Sequence, residues 1–276
     1  VSDHPNLQHY ADAWTQSIES ISELVRPLAE GEWNRRTDCT GWSVRDVVSH
    51  IIGIECELLG DPRPIHTLPR DIRHVTDEFS RHMEIQVDVR RHHTGPEMTS
   101  ELEYTIIRRS RQLRNEKREH DSMVRHVLPG WAEVTLEQQL MLRAFDVWVH
   151  EQDVRRALRL PGNLDSPAAL VTRDVLISGL GPVVAERAAA PRNSAVVIDV
   201  SGPVEFLRTV RVDENGHGTV NGSPSLGPAV TLSLGWEMYV RLACGRVRPE
   251  VAAEHVTVDG DAALAKAIMK NFTVVP

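Results

Sequence analysis

Cysteine is scarce: Cys39, Cys56 and Cys244 are the only three in 276 residues. An odd, sparse set builds no disulfide framework, and a reducing cytoplasm is the simplest expected compartment. Apolar runs of the ~20 residues that span a bilayer are missing. The opening Val1-Ser2-Asp3-His4-Pro5 lacks the basic start and apolar stretch of a secretory signal. Positive charge is in deficit, 31 Lys and Arg against 39 Asp and Glu, for a formal net charge of -8. That balance gives no general attraction to nucleic acid or to an anionic membrane. Also missing are a phosphate-binding glycine loop, a dinucleotide fingerprint, a Ser/His/Asp arrangement, internal repeats and low-complexity segments. Small molecules are the expected partners, and nothing here sets an oligomeric state.

What is present is ample core material, 41% apolar residues with 25% charged, in a chain long enough for one large domain or two smaller ones. Leu7, Tyr10, Trp14, Ile18, Ile21, Val25 and Leu28 recur at helical spacing. Ser43, followed by Asp46, reads as the capped start of a second helix to about Leu59. The polar stretch to about Asp121 is expected to hold one or two helices, with a break near Gly95-Pro96. Pro129-Gly130 reads as a turn, and Thr135 starts a long helix that Pro161-Gly162 ends. One more helix, from about Pro167 to Ala189, completes a bundle of at least four.

After Pro191 the pattern changes to short β-branched runs. Ala195–Val200, Phe206–Val212, Ala229–Leu234 and Val256–Val258 read as strands, and Asn215-Gly216 and Asn221-Gly222 as turns. Helices are expected over Gly235–Cys244 and, capped by Asp261, to about Asn271. The fold class is therefore α+β, with a helical bundle over 1–190 and a small α+β domain over 191–276.

The strongest local constellation is Phe145-Asp146-Val147-Trp148-Val149-His150-Glu151-Gln152-Asp153. Asp146 and His150, four apart on a helix, share one face with Cβ atoms about 5–6 Å apart. A carboxylate and an imidazole at that spacing can chelate one metal ion. The plainer reading is a surface ion pair. Asp153 shares the face and could hold the imidazole from behind. A third donor must come from elsewhere, and His50, inside Val47-Val48-Ser49-His50-Ile51-Ile52, is the best candidate, with a core histidine as its alternative.

Thr40-Gly41-Trp42-Ser43-Val44-Arg45-Asp46-Val47-Val48-Ser49-His50 resembles the N-terminal signature of the mycothiol-dependent maleylpyruvate isomerase family, within the DinB-like metal-binding four-helix bundles. Phe145 to Arg155 resembles the family's second signature, in the right order and at a fitting distance. The resemblance implies that His50, Asp146 and His150 hold a divalent metal, most simply zinc. The isomerase itself looks to have Glu where this chain has Asp146, a departure that bears on the reaction more than on the metal. Thr231–Leu234, Leu242-Ala243-Cys244-Gly245-Arg246 and Val256–Asp261 resemble the sterol-carrier-protein-like second domain attached to many such bundles. The segment from about Gly60 to Trp131 matches least.

Three protein donors on zinc leave a position open for a thiol, which loses its proton there at neutral pH. The resemblance makes mycothiol the expected thiol co-substrate. Arg143 and Arg246 are the candidate catalytic cations, Arg246 also binding the thiol's polar groups; a solvated surface arginine is the alternative for each. The leading expectation is a mycothiol-dependent S-transferase acting on an electrophilic small molecule. The alternatives are a cis–trans isomerase of the maleylpyruvate type and a non-catalytic metal-stabilised binding module. Cys39, just before a helix start, is expected to be inert. His74, His82, His92 and His93 are expected to be solvated, and Gly216-His217-Gly218 to be a turn.

Overall fold

A computed structural model describes residues 5–125, 133–222 and 227–274. It divides into two compact units, Val1–Gly162 and Asn163–Pro276. The expected turn at Pro129-Gly130 lies outside the described residues.

The first unit contains α1 (Pro5–Val25), α2 (Val44–Leu58), α3 (Glu78–Asp88), α4 (Gly95–Arg114) and α5 (Leu136–Leu158). Helices α1, α2, α4 and α5 pack in a closed ring of neighbours, which is a four-helix bundle, and α3 lies against α2. Leu7, Trp14, Ile18, Ile21 and Val25 of α1 are buried, as their helical spacing requires. Ser43 caps α2: its side chain accepts from Asp46 N–H while the Asp46 carboxylate accepts from Ser43 N–H, 2.9 Å. Thr94 and Thr135 cap α4 and α5 in the same way. Gly95-Pro96 therefore opens α4, and the break expected near it is the segment after α3. Helix α5 ends before Pro161, because Arg159 takes a left-handed conformation, φ 60°. A two-stranded hairpin, β1 (Met123–Arg125) with β2 (Glu133–Thr135), was not expected from the sequence.

The second unit opens with α6 (Pro167–Ser178), α7 (Leu180–Pro182) and a π-helical turn, Val183–Arg187. Strands β3 (Ser194–Ser201), β4 (Phe206–Val212), β5 (Gly218–Asn221), β6 (Val230–Gly235) and β7 (Val256–Gly260) form one sheet in the order β5-β4-β3-β6-β7. Only β3 and β6 are parallel, Val196 facing Val230. Helices α8 (Trp236–Ala243), α9 (Pro249–Ala252) and α10 (Ala262–Lys270) complete it. The class is α+β, a helical bundle followed by a small mixed-sheet domain.

The division falls well before residue 190, and the reason is packing. A Cβ on Gly181 would lie 2.5 Å from the Gly218 carbonyl oxygen, so α7 is pressed against β5 and the helices after Asn163 belong with the sheet. The change of pattern at Pro191 marks a change of element within one unit. No single helix among the described residues is long and apolar enough to cross a membrane.

Candidate metal centre

The bundle brings His50 of α2 together with Asp146 and His150 of α5. One donor atom from each lies within 4.8 Å of the others. His50 Nε2 is 3.5 Å from Asp146 Oδ2, and His150 Nε2 is 3.7 Å from Asp146 Oδ1. Two donors each about 2.0 Å from a tetrahedral zinc sit about 3.3 Å apart, so these separations suit one ion between them. Both ring nitrogens of His50 are buried with no hydrogen-bond partner among the described residues. A buried ring nitrogen without a hydrogen bond is costly unless something else meets it, and one ion would meet Nε2, the nitrogen that faces Asp146. The three side chains fit a divalent cation.

Charge and orientation are set around them. Burial pushes the His50 imidazole below its ordinary pKa, against the pull of Asp146, and keeps it in the neutral form that can donate a lone pair. Burial also opposes a charge on Asp146, but Arg143, with His150 and His50, outweighs it and holds the carboxyl well below the usual carboxylate range. Arg143 Nη1 donates to Asp146 Oδ2 at 2.8 Å, while its Nε and Nη2 donate to Glu55 Oε1 at 3.0 and 2.8 Å. Glu55 is fully buried and also accepts from Trp14 Nε1 and Arg109 Nε, at 2.9 and 3.0 Å. Behind His150, Nδ1 lies 3.1 Å from Asp153 Oδ2. The other Asp153 oxygen accepts from Arg156 Nη2 at 2.8 Å, and Arg156 Nε donates to Asp38 Oδ2 at 3.0 Å. That chain leaves Nε2 as the His150 nitrogen facing Asp146.

Trp42 closes one side, its ring centroid 5.0 Å from that of His50 and 6.0 Å from that of His150. Trp42 Nε1 donates to the buried Glu84 at 2.9 Å. The turn before it depends on Gly41, φ 86°, where a Cβ would strike the His74 ring.

Several expectations change. Arg143 is buried and committed to two carboxylates of its own unit, so it is no surface arginine. Arg246 belongs to the second unit, where Nη1 donates to the Cys244 carbonyl at 2.7 Å. His74 and His82 are not solvated: their Nε2 atoms lie 2.7 Å from Glu84 Oε2 and 3.1 Å from Glu57 Oε1. Each ring finds a buried carboxylate on a neighbouring helix. Cys39 is half-buried in the turn, and its carbonyl accepts from Trp42 N–H at 3.0 Å. His217 sits in the β4–β5 turn, Asp213 accepting from its N–H at 2.9 Å, and Gly218 already begins β5. Sequence reasoning missed Glu55, whose signal was an acid in the apolar run Ile51-Ile52-Gly53-Ile54-Glu55, and gave Trp42 no role although it stands in the first signature.

A helical bundle with an internal His/Asp/His set that could hold a metal ion, followed by a mixed-sheet domain, defines the class: a bundle protein of two units. The chain belongs to the mycothiol maleylpyruvate isomerase family: residues 14–155 match the family's N-terminal domain, and residues 170–267 match the MDMPI C-terminal domain. Among solved structures it is similar in fold to the mycothiol-dependent maleylpyruvate isomerase, at 15% identity, TM-score 0.59, over 94% of this chain and 95% of that one. A mutant of that isomerase matches equally, at 14% identity and TM-score 0.59 over the same shares. A weaker match, sterol carrier protein 2 like 2 from Aedes aegypti, covers 37% of this chain and 96% of its own, at 15% identity and TM-score 0.30. No curated protein matches the chain.

Proposed function

We propose that this chain is a metal-dependent enzyme that uses mycothiol to isomerise a cis alkene of the maleylpyruvate type. The observation that carries the reading is the convergence of His50, Asp146 and His150 within 4.8 Å, with both His50 nitrogens orphaned. Family membership supplies the thiol and the reaction type. Those three side chains would hold the ion. When bound, a divalent cation supplies a Lewis acid that favours the deprotonated form of a thiol at neutral pH. Burial keeps His50 neutral, Asp153 fixes the His150 tautomer, and Arg143 keeps Asp146 ionised and in place. Arg143 is a positioning residue in this scheme. Trp42 and the apolar face of α2 exclude water from the donors. The thiolate would add to the activated alkene to give a stabilised carbanion, the resulting single bond would rotate, and elimination would return the thiolate and the trans product.

Thiol S-transfer is the second reading. Asp146, shorter than the glutamate the isomerase looks to carry, is the departure that keeps this reading open, because a shorter acid would hold an ion differently from the isomerase's. Zinc is the proposed metal, and Arg246 the proposed partner of the thiol's carboxylate. Metal-loaded protein with mycothiol and maleylpyruvate should yield the trans isomer with no loss of free thiol. Thiol consumed in proportion to a thioether product would shift the assignment to S-transfer. Full activity in Asp146→Ala would end both readings. Arg246→Ala should raise KM for mycothiol several-fold with the helical content unchanged.

A further inference from the structure

The sheet of the second unit ends in two different edges. At one, β5 is held against α7, Gly218 meeting Gly181 backbone to backbone. At the other, no described strand follows β7, and Thr257, Val258, Asp259 and Gly260 are all exposed. The pairing with β6 fixes which groups of β7 face out. Asp261 N–H donates to the Ala229 carbonyl at 2.9 Å, beside the Val230–Gly260 pair. In an antiparallel ladder this turns the peptide groups of Asp259 and Thr257 toward β6 and those of Val258 and Val256 outward. The outward groups have no hydrogen-bond partner among the described residues. The side chains of Val256 and Val258 lie on the face of their buried β6 partners, Leu234 and Leu232. Val258 is 36% exposed, so the apolar row of that face runs out to the edge unfinished. The other face carries Asp259 and, just before the strand, His255, both exposed and neither ion-paired among the described residues.

We propose that β7 is a self-association edge, pairing antiparallel with β7 of a second copy of this chain so that two sheets join about a two-fold axis at Thr257. The register follows from the outward groups, which must meet outward groups. With Thr257 facing Thr257, Val256 meets Val258 of the second copy, and each such pair exchanges both its N–H···O=C bonds. The apolar row then continues from Leu232 and Val258 to Val256 and Leu234 of the second copy, and the exposed part of Val258 is covered. On the opposite face His255 meets Asp259 of the second copy, an imidazole N–H donating to a carboxylate. Each cross-strand pair in this register is of a favourable kind: β-branched apolar, threonine with threonine, imidazole with carboxylate. An axis at Val258 would instead set Val256 against Gly260, whose φ of 106° departs from strand geometry, and His255 against Asp261, already engaged in capping α10. An unrelated strand would meet the same backbone groups. A copy of β7 also supplies, by symmetry, the carboxylate for each imidazole.

One short strand per copy makes a small interface, so a dissociation constant on the order of 10 μM is expected. Sedimentation equilibrium of the full chain should show mostly monomer at ~1 μM and mostly dimer at ~200 μM. Val258→Pro removes an outward N–H that β6 does not use, and Val258→Lys puts a cation on the edge. Each should hold the chain monomeric at ~200 μM with an unchanged circular dichroism spectrum. Thr257→Cys chains should cross-link to one another through position 257 under mild oxidation, located by peptide mass mapping. Asp259→Cys chains, whose two copies lie apart in this register, should not cross-link at 259. Monomer at every concentration, dimer that survives either folded Val258 variant, or cross-linking at 259 in place of 257 would overturn the proposal.

Discussion

Glu55 has no solvent contact, yet it accepts hydrogen bonds from α1, α4 and α5 through Trp14, Arg109 and Arg143. Removing one partner of a buried charge leaves the other uncompensated. Arg143→Ala should therefore cost about 3 kcal/mol in urea unfolding of the metal-free protein, and it should also weaken metal binding, because Asp146 loses its anchor. Asp153→Asn acts more narrowly. It should lower zinc affinity roughly 10- to 100-fold in a competition titration while the fold persists. A third prediction concerns pH. The Arg118 guanidinium, aided by backbone N–H donors, outweighs burial and pulls the Glu116 carboxyl down to about 2. A folded pKa below the unfolded value of ~4.3 contributes stability that is present above ~4.3 and is lost as pH falls toward the folded value. Carboxyl-resolved NMR should find Glu116 titrating near 2, and Arg118→Ala should return it toward ~4.3. At this scale the sequence was legible where chemistry is local: Asp146, His150 and Asp153 share a helix face by spacing alone. The partners of Glu55 were not legible, because Trp14, Arg109 and Arg143 come from three other helices and spacing within α2 says nothing of them. The same holds for His74 and His82, whose carboxylates lie on helices reached only by folding.

Elements were readable where a cap or a period announces them. Ser43, Thr135 and Asp261 each begin the helix expected of them, because a short oxygen-bearing side chain satisfies otherwise orphaned N–H groups. Thr135→Ala should cost about 1 kcal/mol of stability, read by thermal or urea unfolding. Short elements escaped. A strand of three residues such as Met123–Arg125 is too brief for an alternating pattern to stand out, and Gly218–Asn221, between two expected turns, pairs with β4 although no strand was expected there. The misplaced boundary has a related cause. Nothing in the composition of α6 and α7 reveals that they pack against a sheet that comes later in the chain. Gly181 is the residue that makes this contact possible, and Gly181→Ala should destabilise the second unit by about 1–3 kcal/mol, since its Cβ has only backbone to displace.

For the molecule as a whole, metal content is the decisive measurement. Zinc at 100 times its dissociation constant should add about 2.7 kcal/mol of protection against hydrogen exchange in α2 and α5, and EDTA should remove it. His50→Ala and His150→Ala should each abolish the effect; protection unchanged by zinc in the unsubstituted protein would count against the metal centre. The placement of the donors has a consequence for how the protein is made. His50 emerges from the ribosome early, and Asp146 and His150 follow only after α3, α4 and the β1–β2 hairpin. Until α5 is complete, a nascent chain can offer a single imidazole from this set and has no means of retaining the ion. Closing so long a loop is an entropic cost met only when α5 docks between α1 and α2. Under the proposed function, metal capture is a late event that reports a finished bundle, and a chain truncated before α5 is expected to retain no zinc.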